Sequence, residues 1–600
     1  MAMLFAVVTQ SLGLWQRPFG YLTLAMALGG TGAMAAGDRM KEPGAPAPIR
    51  REEGGFVSSG ACRSCHPAEH ESWRASFHRS MTQSATLSQV ASPELRRGGR
   101  LHAETGGRTV ELFARGNELW SRLPDPGLTS AGLGRDHGRI FRAAPSKDAR
   151  VQLLTGSHHQ QAFWVKGARG GELRALPVVY LIAEARLIPR QDAFLSPPDA
   201  DLQSVSWNSN CIQCHAVAGA PGHDPKRDVF ESSAAELGIA CEACHGPGAA
   251  HVRAMQSPVA RYQAHASGTT KLDIVNPLEL SAERASQVCA RCHSYFFPKD
   301  QEEWWSRGFS RSFLPGDDLG TSQLLLSPEV FGQPGAPTLE ESTQSLFYQD
   351  GTIRVGGREH NGLVRSPCFE RGTGKRQLSC LSCHSLHRSE PQDQLGAGKD
   401  GNSACTPCHE REGAELSRHT RHAPSSPGSL CYNCHMPHTT YALLGAIRSH
   451  RIDSPSFDQR TRDRPNACSL CHLEQSEAWA AEKAAELFGA KPAYVLAREP
   501  GLAAPEAPAG AVFALAGDAA VRAIAAAALS RHESHLKAPE LRRQLLNELA
   551  TDPYAAVRFV AQRSLRTLPM PPIPQALPLD PSSIARLKQL RDNRPVTIAE

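Results

Sequence analysis

Sixteen of the seventeen cysteines fall in pairs separated by two residues, and the second cysteine of every pair is followed at once by histidine. The eight copies are CRSCH at Cys62, CIQCH at Cys211, CEACH at Cys241, CARCH at Cys289, CLSCH at Cys380, CTPCH at Cys405, CYNCH at Cys431 and CSLCH at Cys468. Zinc ribbons use CxxC pairs and thioredoxin-like enzymes use one reactive pair. Neither has a reason to place histidine after every second cysteine. The pattern is that of covalent haem c attachment. Two thiols add to the two vinyl groups of one haem, and the adjacent imidazole falls over the iron as an axial ligand.

This reading assigns eight covalent haems and their irons. The attaching pairs are Cys62 and Cys65, Cys211 and Cys214, Cys241 and Cys244, Cys289 and Cys292, Cys380 and Cys383, Cys405 and Cys408, Cys431 and Cys434, and Cys468 and Cys471. The proximal ligands are His66, His215, His245, His293, His384, His409, His435 and His472.

Each iron has a second axial position, and seventeen histidines lie outside the motifs. The distal candidates are His78, His159, His251, His387, His419, His422 and His450. His158 is nearly as good as His159, and His438 is a weaker candidate. Met81, Met255 and Met436 could also ligate iron, although methionine is more often core filler. His251 closes the stretch CEACHGPGAAH. The Gly-Pro-Gly turn redirects the chain there, so His251 is expected to reach a neighbouring haem rather than its own. Double-histidine ligation favours low potentials and one-electron exchange, whereas an iron without a second ligand can bind a small molecule.

Cys368 is the cysteine left over. It reads either as an inert buried thiol or, with His360 or Arg358, as part of a pocket at an open haem face. Arg365, Arg371, Lys375 and Arg376 near it equally suit haem propionates.

These sites need elements to hold them. Arg17 precedes the apolar run Phe19 to Gly30, and Ala33-Met34-Ala35 supplies a cleavage pattern, so residues 1–36 read as an export signal, with an uncleaved anchor as the alternative. Residues 37–55 are rich in Pro, Gly and charge and read as a linker. The haem domain spans 56–474, with short helices at the attachment sites and many loops. Alternating apolar residues in 108–123 and 147–187 predict β-hairpins, a small β-rich insertion over about 100–200. Residues 475–600 hold no cysteine and turn Ala- and Leu-rich with helical periodicity. Val521 and Val557, like Arg522 and Arg558, lie 36 residues apart, which suits paired-helix repeats of the HEAT type as well as a plain bundle.

The formal charge of +5 omits the cofactors. Each ferric haem core adds about +1 and its propionates up to about −2, so the loaded chain is nearer −3, and no nucleic-acid partner is expected. Apart from the signal, no apolar run approaches the ~20 residues of a membrane helix. A periplasmic or exported location follows.

CEACHGPGAAH resembles the CxxCHGPGxxH element of multihaem cytochromes c related to the tetrahaem partner of hydroxylamine oxidoreductase. That superfamily also holds pentahaem nitrite reductase and the octahaem hydroxylamine oxidoreductases and tetrathionate reductases. CYNCHMPHTTY followed by His450, and RPNACSLCH, are similar to a branch with a C-terminal helical-repeat tail. The resemblance covers about residues 56–475 and implies closely packed haem pairs, with His251, His387 and His450 as distal ligands. It departs from the nitrite and tetrathionate reductases, which carry a lysine after one CxxC where all eight motifs here end in histidine.

The expected fold is a mainly α and irregular multihaem cytochrome c fold with the β-rich insertion and an α-helical, HEAT-like tail. The expected function is electron transfer through a haem chain to redox partner proteins. The rival is a reductase or oxidase of a small nitrogen or sulfur compound at one open iron. A third class is an assembly component, as a homo-oligomer or in a membrane redox complex.

Overall fold

Short motifs rich in Gly, Pro and polar residues cannot sustain long helices, and the haem-motif region is built from brief ones. The computed structural model describes residues 49–51, 54–129, 137–202, 204–267, 272–331, 345–458, 463–490, 506–531, 537–568 and 578–598. The expected export signal and most of the linker lie outside the described residues, as do His532 and His535. Residues Ile49–Glu600 form one compact unit.

The helices that carry or flank the motifs include α1 (Pro67–Ala75), α2 (Cys241–His245), α3 (Ala249–Met255), α4 (Pro258–Ser267), α5 (Ala282–His293), α6 (Glu359–Leu363), α7 (Leu416–Thr420), α8 (Cys431–His435) and α9 (Ala467–Cys471), with single turns such as Ile212–His215 at other motifs. The longest, α5, has a sequence reason for its length. Ser281 caps it by accepting from the Arg284 N–H, Glu283 sits in its first turn, and its buried face carries Ala285, Val288 and Ala290. Extended segments do the rest of the connecting.

Ahead of the second motif lies an eight-stranded antiparallel sheet. Its strands are β1 (Thr82–Ser84), β2 (Arg100–Thr105), β3 (Arg108–Arg115), β4 (Glu118–Pro124), β5 (Ser146–Thr155), β6 (Gln160–Lys166), β7 (Leu173–Leu181) and β8 (Arg186–Pro189). Strands β2 to β8 pair in sequence order, β1 pairs with β5, and β2 comes back against β8. The enclosed face holds Val110, Leu112, Val151, Phe163, Val178 and Tyr180, all buried. Alternation of apolar and polar residues put these side chains on one face, which folds over its own core. The sheet therefore begins before the predicted 100–200 region. The β1–β5 pairing fixes the segment just before it: the Gly156 N–H donates to the Met81 carbonyl, and Phe77 stacks on His158 at 4.0 Å.

The C-terminal quarter is helical: α10 (Glu477–Phe488), α11 (Ala509–Leu515), α12 (Ala519–Leu529), α13 (Pro539–Leu549), α14 (Ala555–Thr567) and α15 (Pro581–Gln589). Asp518 caps α12 through the Val521 N–H, Pro539 opens α13, and Gly489 ends α10 in the left-handed region at φ 66°. Helix α11 packs on α12 and α13 on α14, while α12 lies along α14. Their alanines and leucines join Ile188, Leu195, Ile353, Val355, Tyr441 and Leu470 in the largest apolar cluster of the molecule. The tail is thus packed on the motif-bearing body.

Two ion pairs lie inside this contact. Both carboxylate oxygens of Asp518 accept from Arg354 at 2.7 Å, joining tail to body, and Arg522 donates to Asp552 at 2.7 and 3.0 Å. All four side chains are buried. Near its end the chain adds a backbone bridge between Leu195 and Ile598. Replacing one partner of a buried pair strands a buried charge. Arg354→Ala is therefore expected to cost about 3–5 kcal/mol, read as a lowered urea midpoint by circular dichroism. Arg418→Ala, which removes only an exposed contact to Glu415, should change stability by less than about 1 kcal/mol.

Candidate haem sites

In a CxxCH segment the two cysteines and the histidine sit at positions i, i+3 and i+4, which share one face of a single helical turn. The chain adopts that turn. The histidine N–H donates to the first cysteine's carbonyl at 2.9 Å in His66, His215 and His384, at 3.0 Å in His409 and at 2.8 Å in His472. Both thiols and the imidazole therefore leave the same side, as attachment to one porphyrin edge requires.

Six of the eight motif histidines face a second imidazole. Ring centroids lie 6.3 Å apart in His66 and His251, 6.3 Å in His245 and His387, and 6.2 Å in His293 and His78. The spacing is 6.2 Å in His384 and His450, 6.2 Å in His435 and His419, and 6.3 Å in His472 and His422. This distance is too long for direct ring stacking and has a simple meaning. A metal–imidazole bond is about 2 Å and the ring centroid lies about 1.1 Å beyond the nitrogen, so two imidazoles on one iron have centroids about 6.2 Å apart. The donor set and its spacing fit a haem iron at each of these six places, which would supply one-electron redox chemistry there.

The other ring nitrogen is also provided for. Metal-bound histidines hand that N–H to a carbonyl or carboxylate, which fixes the tautomer and ring plane. Nδ1 lies 2.8 Å from the Val275 carbonyl in His245, 2.8 Å from Leu272 in His251, and 3.1 Å from Asp393 in His384. It lies 2.7 Å from the Thr420 carbonyl in His422 and 2.9 Å from Asp453 in His435. Nε2 is then left to point at its opposite number. His293 differs, because its Nδ1 lies 2.8 Å from a carboxylate, Glu359 Oε2. Burial opposes both charges, yet the shared hydrogen bond wins: His293 is pushed up to about 9 and Glu359 held down to about 2.

CEACHGPGAAH owes its local shape to Glu242 and Gly246. The buried Glu242 carboxylate accepts from the backbone N–H of Val57 at 3.0 Å, Ser58 at 2.9 Å and Gly248 at 2.8 Å. Gly246 turns the chain at φ 78°. Those contacts bring the first motif beside the third, and His251 faces His66 rather than its own neighbour His245.

The remaining candidates go elsewhere. His159 is not brought to any motif histidine: the β5–β6 hairpin holds it against His158, with centroids 3.8 Å apart, and burial lowers its pKa. His438 is pushed far down by burial, then by Arg531 and Arg448. Arg365 pairs with Glu329 at 2.9 Å, which accounts for its charge. Cys368 is half-buried, its thiol raised by burial, and its electrostatic neighbours include Cys408 of the sixth motif.

His215 and His409 face no second imidazole at this spacing among the described residues. His409 lies outside, its side chain 60% exposed beside the exposed Cys408. His215 is flanked by the buried residues Ile212, Gln213 and Ala216.

Thiols of different motifs lie side by side. Cys62 is within hydrogen-bonding reach of Cys241, Cys289 of Cys380, and Cys405 of Cys431. Cys292 Sγ lies 3.7 Å from the Cys214 carbonyl, and Cys214 Sγ lies 3.8 Å from that of Arg291. Cys244 neighbours Cys292, Cys405 neighbours Cys383, and Cys434 neighbours Cys468 and Cys471. Sequence reasoning singled out the thiols but neither these adjacencies nor Glu359. The carbonyl acceptors carry no sequence signal, since every residue has one.

Comparison with known proteins agrees with this chemistry. The family described as "Doubled CXXCH motif" matches residues 373–414, which contain the Cys380 and Cys405 motifs. "Cytochrome c554 and c-prime" matches residues 192–246, which contain those at Cys211 and Cys241. The chain is 19% identical over 302 residues to the multiheme cytochrome MtrA of Shewanella baltica (strain OS185). That match covers 49% of this chain and 61% of the relative, so it spans less than two thirds of the relative's length. The crystal structure of the outer cell wall cytochrome OcwA aligns with a TM-score of 0.46 and 16% identity, over 85% of this chain and 100% of that one. No helix among the described residues is long and apolar enough to cross a membrane. Covalent haem c attachment through its CxxCH motifs makes this chain a multihaem c-type cytochrome.

Proposed function

We propose that the protein is an exported octahaem cytochrome that conducts electrons between redox partner proteins. The observation that carries this reading is the set of six imidazole pairs at 6.2–6.3 Å. An iron with the same two nitrogen ligands in both oxidation states exchanges an electron without making or breaking a bond, which suits conduction. The distal assignments are His251 to the Cys62 haem, His387 to the Cys241 haem, His78 to the Cys289 haem, His450 to the Cys380 haem, His419 to the Cys431 haem and His422 to the Cys468 haem.

The thiol adjacencies order these haems. Neighbouring attachment sites place porphyrin edges close together, giving a wire through the motifs at Cys62, Cys241, Cys289, Cys380, Cys405, Cys431 and Cys468. The haem at Cys211 joins it beside Cys289 and Cys292. We read the tail as two HEAT-type repeats, α11–α12 and α13–α14, supported by like-on-like stacking and by Arg522 of the first bonding Asp552 of the second.

Export follows from covalent haem assembly, with residues 1–36 as the signal. The partners are redox proteins that exchange single electrons with the ends of the wire.

Two measurements test this reading. The intact mass of the purified protein should carry eight haems, and electron paramagnetic resonance of the oxidised form should show at least six low-spin irons. His251→Ala should convert one low-spin iron to high spin with the haem count unchanged; no spectral change would remove His251 as a ligand. The carboxylate behind His293 strengthens that imidazole as a donor and favours the ferric state. Glu359→Gln should raise one midpoint potential by on the order of 50 mV in a spectroelectrochemical titration, leaving the others in place.

A further inference from the structure

We infer that the haem held by Cys211, Cys214 and His215 is a side branch of the wire whose iron has an exchangeable face, forming a binding site for a small anion. The inference rests on the haem-wire reading and adds a site to it.

Three observations converge on this place. First, the same geometry that pairs six motif histidines gives His215 no opposite imidazole among the described residues. The nearby histidines are engaged: His78 faces His293, and His158 stacks between Phe77 and His159. The backbone of Met81 also lies close to the His215 ring, and its carbonyl accepts from the Gly156 N–H at 2.8 Å.

Second, the position is a terminus. Cys214 adjoins Cys292 alone among the other motifs, as the end motifs at Cys62 and Cys468 adjoin only Cys241 and Cys434, whereas the inner motifs of the wire adjoin at least two. An electron delivered here leaves only by the way it came or onto a bound molecule. His409, the other unpaired histidine, lies on the line between the Cys380 and Cys431 sites and is open to solvent.

Third, the surroundings are cationic. Arg291 is buried, its Nε has no hydrogen-bond partner, and its two Nη atoms reach only the Ala243 and Gln213 carbonyls at 3.5 Å. Arg358 donates to the Cys292 and Gly357 carbonyls at 3.4 and 2.9 Å. Both guanidiniums act on Cys214, and neither is in an ion pair among the described residues. The carboxylate next to Arg358 in sequence, Glu359, is taken by His293. Buried positive charge without a carboxylate favours an anion over a neutral ligand.

The test is a titration of the oxidised holoprotein with cyanide, azide and imidazole, followed by haem absorption and paramagnetic resonance. Two of the eight irons should be high spin, and cyanide should convert both. A Cys211→Ala/Cys214→Ala variant, with its loss of one haem verified by mass, should bind one cyanide fewer, as should Cys405→Ala/Cys408→Ala. Arg358→Gln should weaken azide binding about tenfold at one site while leaving imidazole binding within about twofold. An oxidised protein that is entirely low spin and blind to cyanide overturns the inference, even if the cysteine variant fails to mature. An unchanged cyanide count after loss of the Cys211 haem overturns the assignment of the site, and equal weakening of azide and imidazole overturns the preference for anions. The wire reading stands or falls separately, on the haem count and the six low-spin signals.

Discussion

Two imidazoles that share an iron must stand about 6.2 Å apart and face each other, and in the octahaem reading this requirement governs the course of the chain. His66 meets His251, His78 meets His293, and His245 meets His387, so each of these pairs spans segments far apart in sequence. The ordering of such long loops is entropically costly, and short polar segments bury too little apolar surface to offset it. In the octahaem reading the metal bonds and porphyrin faces supply what the side chains lack, so folding of the motif region is coupled to haem attachment. Brief helices and extended connections are then sufficient, because each has only to deliver a cysteine pair or an imidazole to an agreed place.

The two haem-free parts answer to ordinary packing. The eight-stranded sheet closes over its own apolar face, and its β1–β5 pairing holds the segment that presents His78. The helical tail shares the largest apolar cluster with β7, β8 and the segment around Tyr441. Arg354 and Asp518 tie the two across a buried contact. The tail is accordingly a buttress of the region that holds His450 and the last motif. Its amphipathic helices would expose their alanine and leucine faces without that body.

Local chemistry was legible in the sequence and long-range pairing was not. The CxxCH spacing encodes a helical turn, and the turn is made. Six of the seven histidines proposed as distal ligands, among them His78, His419 and His422, stand opposite a motif histidine. His159 does not, because a hairpin tip packs it on His158, a contact that depends on strand register. Which histidine faces which motif depends on contacts such as Glu242 with Val57 and Ser58, and no residue pattern announces those. Alternation marked the strands, but the shortest, β1, carries too few residues to signal. Periodicity marked the tail helices, yet their docking rests on Arg354, an unremarkable residue in a loop.

The carboxylate behind His293 bears on the direction of flow. Among the Nδ1 hydrogen bonds of the motif histidines, one goes to an anion and those of His245, His384 and His435 go to neutral carbonyls. A buried anion on a ligand stabilises the extra positive charge of an oxidised iron, so a haem held by His293 would be harder to reduce than carbonyl-backed neighbours in a similar setting. It also occupies the junction: Cys292 adjoins Cys214 and Cys244, and Cys289 adjoins Cys380. A low-potential centre at a junction passes each electron on rather than storing it. In the proposed wire electrons would then reside on the arms, and the arm that ends at His215 would hold its charge where Arg291 and Arg358 lie close by. In the proposed wire, reduction of that iron would weaken its hold on an anion, and by reciprocity a bound anion would make the iron harder to reduce.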